Sequence, residues 1–421
     1  MIITIFKQSS IKLFNYIINL LIISYISKFY GPELLADYFI FIQFILLFST
    51  ISIFGFNIAS QKSIPILLNN NNKNNDLSLF ISSSFIISIT ISIFLSLIIF
   101  IIEKSNINFL YFKDDKYIFY LIMCIPIFVI ILFINEILRS INKLIIGQII
   151  SLNFLPLCLL VSLIILSYKN NSYELLPIVF FLSYFISILI SIYVLYKYKY
   201  LININLLFKI KLIKIIVKKH FVYLANSIIS LLSIVGFTFI LNLISIKNSV
   251  ASYNLIIILS SVIGMPLIFL NNKYLKNISI NLENKKHNSN YKLFHKISNL
   301  SLRIGLLGGI FIIIFLYLLS LKLFNIDFKD IIYPLLFANI AFLINNYFGP
   351  NQSLLLIYGF GKILNILTFI FLIFSLLFGY ILIFYIDYYG AIISFLIYQL
   401  LINITLNIFI KNNIFTKNYI K

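Results

Sequence analysis

Long apolar runs separated by short charged clusters constrain this chain more than any other feature of its sequence. A membrane-spanning helix needs about 20 mostly apolar residues, and runs of roughly that length follow one another along the chain. Hydrophobic residues make up 62% of the 421 residues and charged residues 10%, against roughly 25% charged in soluble proteins. We therefore predict an all-α integral membrane protein with about 12 transmembrane helices. The predicted spans are 11–30, 38–58, 79–102, 117–138, 145–167, 175–196, 221–245, 251–271, 300–321, 331–349, 363–384 and 390–410.

Lysine and arginine are distributed unevenly between alternate loops, which predicts the orientation in the membrane. If the N-terminus is placed in the cytoplasm, the cytoplasmic segments hold 24 of the 32 Lys and Arg residues. Basic residues in short loops favour the cytoplasmic side, so we predict that both termini are cytoplasmic. The net charge of +20 is then a topology signal, and nucleic-acid binding explains it poorly.

The longest basic loop divides the predicted spans into two groups of six. Residues 197–219 contain seven lysines and no acid. This pattern fits an amphipathic segment on an anionic leaflet, and it fits equally well a plain linker with topogenic charge. We predict an N-terminal six-helix bundle of residues 1–196, a basic cytoplasmic linker of 197–220 and a C-terminal six-helix bundle of 221–421. Faint matches in the same order, such as 31–38 with 247–253, indicate bundles related by a pseudo-two-fold axis along the membrane normal.

Three predicted spans, the first, seventh and tenth, carry polar side chains at helical spacing. Placing polar side chains against hydrocarbon costs free energy, so these faces should meet a cavity or another helix. Hydrogen bonding between helices is the alternative for each single residue, while the coincidence of three such faces favours a polar lumen. The candidate substrate-binding residues from these faces are Lys12, Asn15, Asn19, Asn226, Asn339 and Asn346.

Arginine occurs only at positions 139 and 303 in a chain that otherwise uses lysine. Arg139 and Arg303 both lie at the predicted cytoplasmic edge of a span. A guanidinium group can bind phosphate through two parallel hydrogen bonds, which lysine does less well; anchoring at the interface is the alternative. Glu136 lies one turn before Arg139 and can form a weak surface ion pair with it. Lys143 and Lys362, at matching points of the two halves, complete the candidate set.

Catalysis and metal binding find little support in the sequence. Cys124 and Cys158 fall inside predicted spans without metal ligands at suitable spacing, and the pair Asp114-Asp115 is typical of a solvated turn. The first three spans contain no carboxylate away from their ends. We therefore expect no catalytic residue, no metal and no cofactor, and we expect that the protein is not an enzyme. The histidines are assigned to basic cytoplasmic loops without partners: His220, His287 and His295.

Short motifs along the whole chain resemble one family. They are residues 31–38 with 55–57, 136–139 with 147–148, 348–355 with 359 and 362, and 389–391. In this order they resemble the O-antigen type polysaccharide flippases, in the superfamily that also contains the multidrug and toxin extrusion transporters. Ala36 departs from that family's usual glycine. The stretch 236–238 lacks the acidic residue often found there, which places ion coupling through that position in doubt.

The resemblance implies a V-shaped pair of bundles and transport by alternating access. It implies that a polyprenyl-diphosphate-linked oligosaccharide crosses the bacterial cytoplasmic membrane to the outer leaflet, for surface polysaccharide assembly. Expected partners are this lipid, anionic membrane lipids, a polysaccharide polymerase and glycosyltransferases. A cation-coupled multidrug exporter of the same superfamily and a membrane polysaccharide polymerase remain the alternatives. The absence of a well-placed membrane carboxylate favours electrogenic uniport.

Overall fold

A computed structural model describes residues 2–69, 74–105, 112, 116–141, 143–168, 175–197, 210–283, 287–324 and 328–415. Within these ranges every regular element is a helix, as the apolar runs predict. The helices are α1 (Ile2–Tyr30), α2 (Pro32–Ser52), α3 (Phe56–Asn69), α4 (Asn74–Lys104), α5 (Lys116–Ser140), α6 (Leu144–Gln148), α7 (Leu155–Tyr168), α8 (Leu176–Lys197), α9 (Ile210–Ile244), α10 (Lys247–Glu283), α11 (His287–Phe324), α12 (Phe328–Phe348), α13 (Asn351–Ile357), α14 (Gly361–Ile386) and α15 (Tyr388–Ile410).

Eleven helices of the described chain are long and apolar enough to cross a membrane. The predicted fifth span, 145–167, corresponds to α6, a π-helical segment Ile149–Phe154 and α7, taken together. The all-α membrane fold is therefore confirmed. Pro156 follows the π-helical segment by two residues inside this continuous helical stretch, where it removes one backbone hydrogen bond. Gly147 lets α6 lie against α5, because a Cβ there would collide with Asn135 Oδ1.

The described chain forms two compact units, residues 1–228 and 229–421. The boundary falls inside α9, whereas the sequence analysis divided the chain at the basic segment. That predicted linker, 197–220, stays a prediction: residues 198–209 lie outside the described part, and residues 210–219 form the first turns of α9.

The N-terminal unit packs around α5, which contacts α2, α3, α4 and α8. Helix α8, which contacts α5 and α7, carries a row of fully buried serines at every fourth position, Ser183, Ser187 and Ser191. Each hydroxyl donates to the carbonyl oxygen four residues earlier, at 2.8 Å. Their polar atoms are thus satisfied within the helix, and their small size lets neighbouring helices pack closely in an apolar environment.

The start of α9 packs against the corner between α2 and α3. Gly55 has a φ of +72°, and a Cβ there would lie 2.7 Å from both the His220 carbonyl oxygen and the Leu224 backbone nitrogen. Asn57 Nδ2 also donates to Ser227 Oγ at 3.2 Å. The expectation that His220 lies in a loop is therefore wrong. It is buried in α9, with its ring 5.8 Å from that of Phe80, and His287 and His295 likewise belong to a helix, α11.

Asp37 corrects the expectation that the first three spans hold no internal carboxylate. Helix α2 begins at Pro32, after Gly31 with a φ of +86°, rather than near residue 38. Proline is favoured at the first position of a helix, so the helix starts earlier than the apolar run does. Asp37 then lies in the second turn and is completely buried.

The C-terminal unit packs around α10, which contacts α11, α12 and α15. Polar side chains join these helices at one level. Asn346 Nδ2 on α12 donates to the Ile263 carbonyl oxygen on α10 at 2.6 Å, and Ser301 Oγ on α11 donates to the Asn346 carbonyl oxygen at 3.1 Å. Hydrogen bonds between transmembrane helices contribute about 0.6 kcal/mol each on average, so these position the helices more than they stabilise them.

Candidate functional site

The N-terminal unit contains a cavity of about 150 Å³ between helices α1, α2, α5, α7 and α8. Two asparagines predicted from the polar face of the first span, Asn15 and Asn19, line it. The rest of the wall is mainly aromatic and aliphatic. Its other members are Ile22, Tyr38, Phe41, Ile42, Leu46, Phe128, Leu155, Pro156, Leu159, Phe180 and Tyr184.

The two asparagines are ordered by a hydrogen bond between them. Asn19 Nδ2 donates to Asn15 Oδ1 at 3.1 Å and to the Asn15 carbonyl oxygen at 3.0 Å. This fixes both amide planes and leaves Asn15 Nδ2 and Asn19 Oδ1 outside that hydrogen bond. The cavity wall is otherwise mainly apolar, so these two amides supply most of its polar groups. A few convergent polar groups in an apolar concavity are typical of ligand sites.

The aromatic rings of the cavity wall pack against one another. Phe180 lies with its ring centroid 5.5 Å from that of Tyr38 and 5.2 Å from that of Phe41. Phe128 and Tyr184 meet edge to face at 5.4 Å. These separations are within the favourable range for aromatic pairs. The rings of the wall therefore pack against one another, and they make this side of the cavity aromatic.

The π-helical segment Ile149–Phe154 ends at this wall. Leu155 and Pro156, the next two residues, line the cavity, and so does Leu159 one turn later. Short π-helical insertions are rare, and many of those that do occur lie at functional sites. This interruption therefore coincides with the cavity rather than with a neutral part of the bundle.

Lys12 lies on the same face of α1 as the asparagines, and the end of α5 brings a second basic side chain near it. Lys12 precedes Asn15 by three residues and Asn19 by seven, a rise of about 10 Å along the helix. Lys12 is half-buried and close enough to Arg139 at the end of α5 for the two positive charges to repel each other. Lys143, exposed at the start of α6, follows Arg139 by four residues. A basic group therefore leads, along one helix face, to the amide pair and the cavity.

Arg139 also contacts the carboxylate predicted as its partner. Its Nη1 atom lies 3.8 Å from Glu136 Oε1, with the two side chains 31% and 12% exposed. This separation is too long for a hydrogen bond, and partly exposed ion pairs contribute little. A phosphate that offered two hydrogen bonds in good geometry would bind the guanidinium group more strongly than Glu136 does.

The other candidate residues lie elsewhere in the two units. Asn226 is buried on α9 within the N-terminal unit. Asn339 and Asn346 are buried on α12 in the C-terminal unit, and neither side-chain atom of Asn339 has a hydrogen-bond partner among the described residues. Arg303 on α11 and Lys362 on α14 are exposed. The structure thus brings together Lys12, Asn15, Asn19, Arg139 and Lys143, and their role in binding stays a prediction.

The aromatic wall was missed in the sequence because its members come from separate helices. Tyr38 and Phe41 lie on α2, Phe128 on α5, and Phe180 and Tyr184 on α8. Phenylalanine and tyrosine are so common in this chain that no local pattern distinguishes these five. Within the described residues there is no group of three or more His, Cys, Asp or Glu side chains that could hold a metal ion.

Solved structures of transporters share this architecture. A multidrug resistance MATE family transporter of the MOP superfamily, in an inward-facing conformation, superposes with a TM-score of 0.72 at 15% identity, over 95% of this chain and 94% of that one. The lipid II flippase MurJ, in an inward closed conformation, gives a TM-score of 0.70 at 16% identity, over 98% and 88%. A multidrug resistance MATE family transporter in an outward-facing conformation gives 0.71 at 16%, over 98% and 94%.

These likenesses define the class of fold: a multi-pass membrane protein with the architecture shared by MATE transporters and MurJ. At 15–16% identity they define the fold alone. The sequence matches no protein-family model and no curated protein.

Proposed function

We propose that the protein is a flippase that moves a polyprenyl-diphosphate-linked oligosaccharide from the inner to the outer leaflet of a bacterial cytoplasmic membrane. The observation that carries the proposal is the row of Lys12, Asn15 and Asn19 on α1. It joins a basic group that includes Arg139 to an amide-and-aromatic cavity. A diphosphate attached to a sugar requires this pair of environments, one cationic and one able to bind hydroxyl groups and stack on a ring.

Each part of the row suits one part of such a head group. Arg139 would bind the diphosphate, because a guanidinium group matches two phosphate oxygens at once. Asn15 Nδ2 and Asn19 Oδ1 would bind a hydroxyl group as donor and acceptor, and the rings of Phe180 and Tyr38 would stack on the sugar. The cavity has a volume of about 150 Å³, so most of a long oligosaccharide would lie outside it.

Three further observations support this proposal. The chain has the fold of MurJ, which is itself named as a lipid II flippase, and its sequence motifs resemble the O-antigen type flippases. The distribution of Lys and Arg favours a cytoplasmic position for the end of α1 that carries Lys12. That is the side on which a substrate made in the cytoplasm would be loaded, as alternating access requires.

Cells that lack the protein provide the test. A blocked flippase leaves lipid-linked repeat units facing the cytoplasm, whereas a lost polymerase leaves single units already exported. We expect cytoplasmic units after deletion and in Arg139→Ala cells, and normal export in Lys104→Ala cells. Lys104 is an exposed lysine at the far end of α4, packed over the Phe100 ring. Single exported units after deletion would refute the proposal.

A cation-coupled multidrug exporter is the second candidate, and Asp37 is the observation in its favour. The residue is fully buried and directly precedes Tyr38 of the cavity wall. Aromatic faces attract organic cations, and a buried carboxylate can exchange one for a proton. A lipophilic cationic dye should bind the purified protein and be displaced by acidification if this candidate is correct, and should not bind if the flippase proposal is correct.

A further inference from the structure

Helix α11 carries one row of exposed side chains that changes from basic to apolar along its length. The spacing between neighbours is three or four residues throughout, which places them on a single face of the helix. The row begins with Lys292, Lys296, Asn299 and Arg303 and continues with Leu307, Ile310, Ile314 and Leu318.

The apolar half of the row faces lipid chains. Leu307 is 69% exposed and Leu318 is 65% exposed, which for large aliphatic side chains in a membrane-spanning helix indicates contact with hydrocarbon. From Arg303 to Leu318 the helix rises about 22 Å, a large part of the roughly 30 Å hydrocarbon thickness. The change from Arg303 to Leu307 therefore marks the level of the lipid head groups.

The basic half of the row carries a concentrated positive charge. Helix α11 contains no acidic residue along its whole length. His295, one residue before Lys296, is also exposed, and Lys411 after α15 is near enough to it for an electrostatic interaction. Lys296 Nζ lies 6.0 Å from the centre of the Tyr274 ring, which restrains the ammonium group at the surface. This half is complementary in charge to a phosphate group.

A notch lies beside the apolar half of the row, just beyond Arg303. A Cβ on Gly308 would meet no atom within 4 Å, so the space beside the helix is open there. Ile304 and Phe311, one turn on either side of Gly308, are exposed and bound this space. Along the helix, basic side chains that can bind phosphate are thus followed by a groove that can hold a hydrocarbon chain. A phospholipid presents its head group and its acyl chain in the same order.

We propose that the exposed face of α11 is a binding site for an anionic phospholipid of the surrounding membrane. Arg303 and Lys296 bind the phosphate, with the Arg303 fork supplying paired hydrogen bonds. One acyl chain runs along Leu307 and Ile310 and fills the notch at Gly308. This site lies in the C-terminal unit and does not depend on the proposed flippase activity.

The test is lipid binding to the purified full-length protein, measured by native mass spectrometry with phosphatidylglycerol and with phosphatidylcholine. We expect tighter binding of phosphatidylglycerol. The double variant Lys296→Gln/Arg303→Gln should weaken that binding about 25-fold, since each basic residue near an anionic surface contributes about five-fold. Binding of phosphatidylcholine should not change. Lys197→Gln is the matched control, because it removes one exposed lysine from a helix end outside the row, and it should behave as the wild type.

A second variant tests the groove without changing the charge. Gly308→Phe should reduce phosphatidylglycerol binding several-fold and leave the temperature of unfolding in lipid-free detergent unchanged, because its side chain enters open space. Equal binding of the two lipids by the wild type, or wild-type binding by the double variant, would overturn the proposal. Binding of a polyprenyl diphosphate without binding of phosphatidylglycerol would also overturn it, since the site would then belong to the transported substrate.

Discussion

Asn19 Nδ2 donates hydrogen bonds to both the side-chain oxygen and the carbonyl oxygen of Asn15, at 3.1 and 3.0 Å. The pair spans one turn of α1 at the wall of the cavity, and it holds both amides in fixed orientations. Asparagine makes this kind of local hydrogen bond both at the cavity and elsewhere in the protein. Asn413 makes the same contact to the carbonyl oxygen four residues earlier, at 3.1 Å, after α15 and away from the cavity.

Replacement of Asn19 by alanine should impair transport more than folding. The substitution removes the acceptor Asn19 Oδ1 and releases the Asn15 amide. A lost hydrogen bond to a ligand costs about 1–3 kcal/mol, so we expect export to fall at least five-fold at equal protein level. Asn413→Ala removes the same local hydrogen bond and should export normally. Equal defects in the two variants would assign Asn19 a purely structural role. Export of the surface polysaccharide and the unfolding temperature in detergent are the two measurements.

Arg139 should not be replaceable by lysine. A charge-assisted hydrogen bond contributes about 1.5–3 kcal/mol, and lysine cannot reproduce the paired geometry of the guanidinium group. Arg139→Ala should reduce export more than ten-fold, and Arg139→Lys should recover only part of it. Glu136→Gln, which removes the ion pair at 3.8 Å, should leave export within about two-fold of the wild type. Full recovery by lysine would favour a simple anchoring charge over phosphate binding. Quantified surface polysaccharide per milligram of transporter is the readout.

Gly55 and Gly31 should differ in their tolerance of alanine. Both have positive φ, but a Cβ on Gly55 would meet two backbone atoms of α9 at 2.7 Å, whereas a Cβ on Gly31 would meet nothing within 4 Å. Gly31→Ala should therefore cost about 1–3 kcal/mol from backbone strain alone. Gly55→Ala should cost roughly 2–5 kcal/mol, because overpacking adds to the strain. Thermal unfolding in detergent should rank wild type above Gly31→Ala and Gly31→Ala above Gly55→Ala. The reverse order for the two variants would contradict the packing of α9 on this corner.

The membrane potential should suffice to drive transport. A diphosphate diester carries roughly two negative charges, and each charge gains about 2.3 kcal/mol per 100 mV on leaving a negative interior. In proteoliposomes, a potassium–valinomycin potential without a proton or sodium gradient should produce flipping. Asp37→Asn provides the decisive comparison, since Asp37 is a fully buried carboxylate in the N-terminal unit. We expect the variant to keep its response to the potential. Flipping that follows only a pH or sodium gradient and is lost in Asp37→Asn would establish ion coupling instead.

Cysteine labelling should resolve the orientation. After Cys124 and Cys158 are replaced, a single cysteine is introduced either in the loop 103–116 or in the segment 197–219. An impermeant thiol reagent applied to intact spheroplasts should label only the first variant, because the excess of Lys and Arg assigns the second to the cytoplasm. Labelling of the 197–219 variant would reverse the assignment of every loop.

The number and order of the spans could be predicted from the sequence, because hydrocarbon imposes a minimum apolar length on each helix. Helix boundaries were less predictable where local backbone signals override hydropathy. Pro32 starts α2 six residues before the predicted span, which converts Asp37 from a loop residue into a buried one. Helices α9, α10 and α11 extend well past their predicted spans, since helical hydrogen bonding does not stop at the edge of the apolar run.

The polar part of the candidate site was predictable, from one face of α1 and from the rarity of arginine, which singled out Arg139. Lys12, Asn15 and Asn19 were found because helical periodicity places them on one face. The rings that complete the cavity come from three other helices, and only tertiary packing brings Tyr38, Phe128 and Phe180 to the same wall. A sequence with so many aromatic residues contains no signal that separates these from the rings that face lipid.

The π-helical segment has a consequence for how the fifth span can change length. A π-helical turn closes its hydrogen bond over one residue more than an α-helical turn does. The extra residue is therefore accommodated within the turn, so that α6 keeps Gly147 against Asn135 while α7 keeps Leu155 and Leu159 at the cavity wall. Deleting one residue between Ile149 and Phe154 would let an α-helical turn form in its place. The facing of α6 and α7 would then be kept, and only the local widening of the helix would be lost.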